Sequence, residues 1–176
     1  DRKQCCVITV NGHRFRYDRL VIATGSRPSS LGLEGEDLPG VMGFRNRADV
    51  DWLGGQATTG RRAVVVGGGF LGLEAAEGLR KQGMAVTLVH RGPYPLTRQL
   101  DAAAGGLLAD TLCERGLEMA LDSQPKRLAG CSRVEALELA DGRMLPADLV
   151  VVAAGITPNR EIAAEAGLDC GQGIQV

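Results

Sequence analysis

The sequence lacks a charge imbalance, long apolar runs and paired cysteines, and each absence argues against a class of partner or of structure. Lysine and arginine number 20 against 21 aspartate and glutamate, so the net charge of −1 indicates no surface for nucleic acid or anionic membrane. Leu149 to Ile156 is among the longest apolar runs, far shorter than a membrane span, and no signal-peptide pattern opens the chain. We therefore expect no nucleic-acid or membrane partner and a cytoplasmic location.

The cysteines exclude a disulfide framework and a common class of metal site. Five are present, an odd number, with no C-x-x-C pair and no metal-ligand spacing: Cys5, Cys6, Cys113, Cys131 and Cys170. We expect them to be reduced and mostly structural, with no bound metal. The 176 residues, 44% hydrophobic and 23% charged, can bury one core with a small appendage.

An internal repeat, the internal echo of two 18-residue segments, is the strongest sign of how the chain is organised. Asn11 to Pro28 (NGHRFRYDRLVIATGSRP) matches Asp141 to Pro158 (DGRMLPADLVVVAAGITP) without gaps, at an offset of 130 residues. Both copies are typical of an Asn-Gly or Asp-Gly turn, a short polar edge segment, and a buried strand stopped by Gly and Pro. The sequence thus predicts buried strands at Leu20 to Ala23 and at Leu149 to Ala153, each closing a similar domain.

A phosphate-binding loop is predicted upstream of the second copy. The apolar strand Ala63 to Val66 runs into GGGFLGLEAAEGL, in which Gly67, Gly69 and Gly72 have the G-x-G-x-x-G spacing. Gly67 permits the tight turn, Gly69 lets a pyrophosphate approach the backbone, and Gly72 lets the helix pack against the strand. The helix N-terminus, with Phe70 and Leu71 in its first turn, offers free N–H groups to the anion. A glycine-rich turn without a ligand is the alternative.

The elements that follow complete an α/β nucleotide-binding fold. Ala85 to Val89 is predicted as a second strand, Asp101 to Arg115 as a helix with Leu107, Leu108 and Leu112 on one face, and Leu117 to Leu121 as a third parallel strand. Arg127 to Met144 alternates as a small antiparallel meander. We therefore predict a Rossmann-like, doubly wound parallel sheet with a meander.

The motifs together resemble the flavin-dependent pyridine nucleotide oxidoreductases, in which an NAD(P) domain is inserted into an FAD domain. YDRLVIATGSRP (Tyr17 to Pro28) resembles the exit from the FAD domain, VVVGGGFLGLEAAEGL the NAD loop, and LVVVAAGITPN the return toward FAD. VHRGPYPLTRQLD, ERG and GLDCGQGIQV are most similar to the flavoprotein part of assimilatory NAD(P)H nitrite reductases and related nitrate-assimilation subunits.

This resemblance implies a domain plan. Residues 1–30 are expected to be the remnant of an FAD domain, 31–60 a connection, 61–156 the NAD(P)-binding domain, and 157–176 the start of the return to FAD. The FAD phosphate loop has no counterpart before Gly25, so the sequence is expected to be part of a longer chain. The resemblance implies NAD(H) or NADP(H) as cofactor, FAD in the parent protein, and a redox acceptor domain elsewhere; a homo-oligomer is a further possibility.

Several residues are candidates for the site. Glu74 lies near the nicotinamide in similar family members, which makes it the candidate catalytic residue, although an acid in the first helical turn also complements the helix dipole. Gly155 and Ile156 follow the returning strand, at the edge where open sheets bind ligands. Thr24 and Gly25 lie at the turn that ends the first copy, where Gly25 matches Gly155, and they are expected to contact the cofactor.

The choice between NADH and NADPH depends on the end of the second strand, eighteen residues past Gly72. An acid there would bind the ribose 2′-hydroxyl and repel a 2′-phosphate, but the chain has His90 followed by Arg91. Arg91 pairs with a 2′-phosphate or is simply solvated, while similar nitrite reductases tolerate a histidine and use NADH. We expect NADH. A hydride-transferring flavoenzyme portion, a ferredoxin or rubredoxin reductase fragment, and a dinucleotide-binding module without turnover all remain open.

Overall fold

The computed structural model describes all residues from Asp1 to Val176, and they form two compact units. The first unit contains Asp1–Arg27 and Ile156–Val176, and the second contains Pro28–Gly155. The strands are β1 (Cys6–Ile8), β2 (Arg14–Arg16), β3 (Ser26–Pro28), β4 (Val41–Gly43), β5 (Arg62–Val66), β6 (Ala85–Val89), β7 (Glu118–Ala120), β8 (Pro125–Ala129), β9 (Ala136–Leu139), β10 (Met144–Pro146), β11 (Leu149–Val152) and β12 (Ile156–Pro158). The helices are α1 (Arg47–Gln56), α2 (Phe70–Lys81), α3 (Ala102–Glu114) and α4 (Glu161–Glu165).

The second unit is built on a five-stranded parallel sheet with strand order β4-β11-β5-β6-β7. Its central strands are almost entirely apolar, as expected for strands covered on both faces. Side chains alternate between the faces, so Ala63 and Val65 pack toward α2 while Val64 and Val66 pack toward the meander. The predicted α/β fold class is confirmed.

The meander β8, β9 and β10 is antiparallel and covers the face of the sheet opposite α2. Leu128, Leu137 and Leu139 are its fully buried side chains. The turn at Asp141 and Gly142 connects β9 to β10, as the Asp-Gly dipeptide predicts. The second copy of the internal echo therefore folds as expected, since a hairpin leads into the buried strand β11.

The first unit contains two small ribbons and the short helix α4. β1 pairs with β2 as an antiparallel hairpin around the predicted Asn11-Gly12 turn, and β3 pairs with β12. The predicted buried strand at Leu20 to Ala23 is wrong, because these residues form no strand and Val21 is 88% exposed. An apolar run becomes a buried strand only beside hydrogen-bonded neighbours, and none of the 176 residues pairs with this one.

Two further expectations need correction, those for the buried face of α3 and for the cysteines. Leu107 is 70% exposed, because Gly105 instead faces inward on α3 and packs against the ring of Tyr94; only Leu108 and Leu112 are half-buried. Residues 31–60 carry β4, the edge strand beside β11, and α1, which begins with a capping box. All five cysteines are free, but only Cys6 is fully buried and three are exposed, so most of them are not core residues.

Candidate functional site

The glycine loop lies where β5 ends, between β6 and β11. Gly67 has a φ of +121°, and a Cβ there would overlap the carbonyl oxygen of Ala153 just beyond β11. Its N–H donates to the carbonyl oxygen of Val89 at 2.8 Å, which ties the start of the loop to β6. Only glycine accommodates both the left-handed backbone and this close approach.

Gly72 and Gly69 have the two different roles that their spacing predicts. A Cβ on Gly72 would overlap the carbonyl oxygen of Gly67, so this glycine lets α2 pack directly against the loop. Gly69 is exposed, and a Cβ on it would meet nothing within 4 Å. Nothing in the protein therefore demands glycine at position 69, and the open space in front of it leaves the backbone accessible to a ligand.

The start of α2 offers unpaired hydrogen-bond donors at this open space. Gly69 is the N-cap residue and supplies no side-chain cap. The N–H groups of Gly69, Phe70 and Leu71 have no hydrogen-bond partner within the protein, and the first helical bond runs from Leu73 back to Gly69. Unpaired N–H groups at the positive end of a helix favour an anion. These residues fit the pyrophosphate of a dinucleotide.

His90 follows β6 and contacts the loop through its ring. The N–H of Gly68 donates to Nδ1 of His90 at 3.1 Å, while Nε2 lies 3.5 Å from the hydroxyl oxygen of Thr97. Burial of the ring and the neighbouring Arg91 guanidinium lower the pKa of His90 below its ordinary value, against a smaller opposing effect of Asp122. Sequence reasoning identified His90 but missed its partner Gly68, the middle glycine of three.

Arg91 and Glu74 are both exposed, and neither side chain has a hydrogen bond or ion pair. Arg91 is the second residue after β6 and its side chain is solvated, as one of the two alternatives expects. Glu74 is the fifth residue of α2, because the helix begins at Phe70, so its expected position in the first helical turn is wrong. At that distance the interaction with the helix dipole is weak, since it fades beyond the first turn.

The remaining candidates are divided between the two units. Thr24 and Gly25 belong to the first unit, where the Thr24 hydroxyl donates to the carbonyl oxygen of Asn159 and the Asn159 N–H donates to that of Gly25 at 2.9 Å. Ile156 starts β12 in the same unit and is 49% exposed. Gly155 belongs to the second unit, has a φ of +132°, and accepts a hydrogen bond from the Ser29 N–H at 3.1 Å.

A concave region of the second unit lies beside β4 and the end of β11. Its one carboxylate, Glu36, accepts from the Ser30 hydroxyl at 2.7 Å and from the N–H groups of Leu31 and Gly32, each at 2.8 Å. Burial raises the pKa of Glu36, but these bonds outweigh it and hold that pKa below its ordinary value. Because its oxygens are already occupied by the loop, Glu36 organises residues 30–36 and is not a ligand-binding group.

None of the four helices has both the length and the hydropathy that crossing a bilayer requires. No group of three or more His, Cys, Asp or Glu side chains is arranged to hold a metal ion. The unpaired backbone N–H groups at the start of α2 give the loop the capacity to bind an anion at the end of β5.

Comparison with known proteins gives a consistent match over the whole chain. The family model for pyridine nucleotide-disulphide oxidoreductases matches residues 1–176. A nitrite reductase [NAD(P)H] of Bacillus subtilis (strain 168) is 43% identical over 176 residues, which are 100% of this chain and 22% of that protein. The assimilatory nitrate reductase electron transfer subunit of the same organism is 40% identical, over 100% of this chain and 23% of that subunit.

A solved structure matches the fold equally completely. The ferredoxin reductase for the CYP199A2 system from Rhodopseudomonas palustris superimposes with a TM-score of 0.95 at 34% identity, over 100% of this chain and 44% of that one. The chain thus spans about a fifth of the length of the two curated relatives and less than half of this structural neighbour.

Proposed function

The chain belongs to the pyridine nucleotide-disulphide oxidoreductase family, and on this basis we propose that its second unit binds a nicotinamide dinucleotide at the glycine loop. The pyrophosphate is held by the unpaired N–H groups of Gly69, Phe70 and Leu71. The observation that carries this proposal is the open space in front of Gly69, in a loop where Gly67 and Gly72 are closely packed. Close packing of Gly67 and Gly72 fixes the loop, while the open space leaves its N–H groups accessible to an anion.

We further propose that the longer protein transfers hydride from the nicotinamide to FAD. A bound dihydronicotinamide supplies the hydride and flavin accepts it, so the protein contributes binding and orientation. Glu74 is the candidate catalytic residue, since its carboxylate is free of any other partner. Gly155 of the second unit is a further candidate for cofactor contact, and Thr24, Gly25 and Ile156 are the candidates of the first unit.

Nitrite reduction is the proposed destination of the electrons, through an acceptor domain outside these residues. Two relatives whose names refer to nitrite or nitrate reduction, at 43% and 40% identity, support this choice. A ferredoxin-reducing protein is the second candidate, favoured by the structural neighbour with a TM-score of 0.95. A dinucleotide-binding module without turnover is the third. A cytoplasmic location and a homo-oligomer belong to the same proposal.

We propose NADH as the preferred nucleotide. Arg91 is exposed and unpaired, so nothing in the structure orients its guanidinium toward a 2′-phosphate. His90 uses Nδ1 for Gly68 and therefore does not offer that atom to the ribose. Neither residue discriminates strongly between the two nucleotides, so the choice of NADH rests on the resemblance that the sequence motifs carry.

The purified 176-residue chain tests this function directly. We expect it to be colourless and to bind NADH weakly, because it carries one dinucleotide loop, which the nicotinamide nucleotide occupies. Titration with NADH, followed by dihydronicotinamide fluorescence, should saturate at one site per chain. A stoichiometric yellow flavin after purification, or no saturation with NADH, would contradict the proposal.

A further inference from the structure

We propose that His90 is a positioning residue that holds the phosphate loop in its nucleotide-binding conformation only while the imidazole ring is neutral. This inference rests on the proposed function, since it concerns the same loop. It assigns to His90 a role different from contact with the ribose, and it makes dinucleotide affinity depend on pH. The argument comes from the bonds on both sides of Gly68.

The segment that follows β6, residues 90–100, binds both the N–H and the carbonyl oxygen of Gly68. Its N–H donates to Nδ1 of His90 at 3.1 Å, and its carbonyl oxygen accepts from the N–H of Leu96 at 2.8 Å. A Cβ on Gly68 would lie 2.7 Å from Cγ of His90, so the ring and the loop backbone are in direct contact. Leu96 has a φ of +57°, unusual for leucine, and the preceding Pro95 is fully buried. The segment is thus a fixed support.

This support determines where the free donor of Gly69 points. In a trans peptide the C=O and the following N–H point in opposite directions. Because the Gly68 carbonyl is directed at Leu96, the Gly69 N–H is directed away from the segment, into the open space in front of the loop. The bond to His90 fixes the preceding peptide in the same way. Losing it frees Gly68 to rotate and misaligns the donors that bind pyrophosphate.

The bond between Gly68 and His90 exists in only one protonation state of the ring. Nδ1 accepts a hydrogen, so it must carry a lone pair, and the ring hydrogen resides on Nε2, which faces the Thr97 hydroxyl. In the imidazolium both nitrogens carry hydrogens. Protonation would therefore set the hydrogen of Nδ1 against the Gly68 N–H, and the contact would change from attraction to repulsion.

The groups around the ring keep it neutral near pH 7. The positive charge of Arg91, the next residue, disfavours protonation of the His90 ring, and the carboxylate of Asp122, just beyond β7, favours it. The loop contributes only the uncharged Gly68 N–H, and the segment contributes the Thr97 hydroxyl. Burial and Arg91 outweigh Asp122, so the pKa of His90 lies below its ordinary value of about 6.5. Affinity is therefore constant above about pH 6.5 and falls as the pH drops through the lowered pKa.

Two variants separate the hydrogen bond from the titration. In His90→Asn, Oδ1 takes the place of Nδ1, so it accepts from Gly68 but does not titrate. In His90→Leu the acceptor is absent at every pH. The matched control is His13→Asn, since His13 is the only other histidine and is exposed on the first unit. NAD⁺ serves as the probe because it is stable in acid, and the Gly69 and Leu71 amide shifts report its binding by NMR.

We expect wild type and His13→Asn to bind NAD⁺ about 2- to 10-fold more weakly below the midpoint of the His90 ring, measured by NMR titration, than at pH 7.5. His90→Asn should bind NAD⁺ equally well at both pH values, whereas His90→Leu should bind it about 2- to 10-fold more weakly than His90→Asn at both. Unchanged pH dependence in His90→Asn would overturn the inference. If His90→Leu does not fold, the pH dependence of NAD⁺ affinity in His90→Asn is the test of the inference.

A measurement without nucleotide separates this inference from the proposed function. The Gly68 amide resonance of the 176-residue chain should titrate with the same midpoint as the His90 ring, and the titration should disappear in His90→Asn. A Gly68 resonance that does not follow His90 would overturn the contact, whatever NAD⁺ does. If Gly68 follows His90 but NAD⁺ fails to bind at pH 7.5, the contact stands, while the proposed function and the effect on affinity are both wrong.

Discussion

The carbonyl oxygen of Gly67 lies so close to the α-carbon of Gly72 that any side chain at position 72 would overlap it. Neither the start of α2 nor the loop can move away easily, because Gly67 is itself packed against Ala153. We predict that Gly72→Ala lowers the free energy of unfolding by about 3 kcal/mol, as forced overpacking does.

Gly78 provides the matched control, since it lies on the same helix, is exposed, and has open space around its α-carbon. Gly78→Ala should raise the free energy of unfolding by up to about 1 kcal/mol, the usual helix preference for alanine. Urea unfolding of both variants checks the pair. Similar values for the two substitutions would show that Gly72 is not closely packed.

Glu36 should stabilise the second unit through the N–H groups of the loop before it. In Glu36→Gln an NH₂ group replaces one acceptor oxygen, and we expect a loss of about 1–3 kcal/mol in the free energy of unfolding at pH 7. Because the pKa of Glu36 is lowered, its contribution is present above about pH 4.5 and is lost as the pH falls through the lowered value.

The control for this prediction is Glu34→Gln, in which an exposed carboxylate without a hydrogen bond or ion pair in the structure is changed in the same way. Unfolding curves between pH 3 and pH 7 should show that the difference between wild type and Glu36→Gln shrinks in acid. A difference that does not change with pH would mean that the charge of Glu36 is irrelevant to its role.

The loop and the strands beside it were predictable because local signals agree there. β5, β6 and β11 are largely apolar, α2 buries one face, and the glycine spacing fits the strand-to-helix turn between Val66 and Phe70. Leu20 to Ala23 has an equally apolar pattern, yet it forms no strand, since a strand depends on neighbours that a local pattern cannot supply.

The missed features depend on contacts between distant residues or on short elements. β4 has three residues, and α1 buries only Leu53, so neither has a clear periodicity. The bond between Gly68 and His90 joins residues 22 positions apart, and it requires the histidine ring to turn inward from the strand end. Position 90 was identified from its spacing, but the direction of its side chain is set by tertiary packing.

Nucleotide choice should be insensitive to Arg91. Its guanidinium is exposed and unpaired, so Arg91→Ala should leave NADH affinity almost unchanged, and Arg98→Ala, an exposed arginine of the same segment, is the control. A charge-assisted pair with a 2′-phosphate would contribute roughly 1.5 to 3 kcal/mol. At moderate salt, where solvated charges are screened, a large NADPH-selective loss in Arg91→Ala would reassign the chain as NADP-preferring.

His90→Glu should increase the preference for NADH over NADPH. A carboxylate at the end of β6 can accept from the ribose 2′-hydroxyl and repels a 2′-phosphate. Affinities for both nucleotides should be compared at pH 7.5, where wild-type His90 is neutral. An unchanged ratio of the two affinities would indicate that position 90 does not reach the ribose.

The most direct test of dinucleotide binding at the loop is calorimetry of NADH with Gly69→Val at pH 7.5. Gly69 has φ and ψ of −84° and −178°, an extended backbone that valine adopts readily, and a Cβ there meets no protein atom within 4 Å. The variant should fold and keep nearly the stability of wild type, while its side chain occupies the space in front of the free N–H groups. We predict that wild type binds one NADH per chain and that Gly69→Val binds none; a folded Gly69→Val with wild-type NADH affinity would contradict the account.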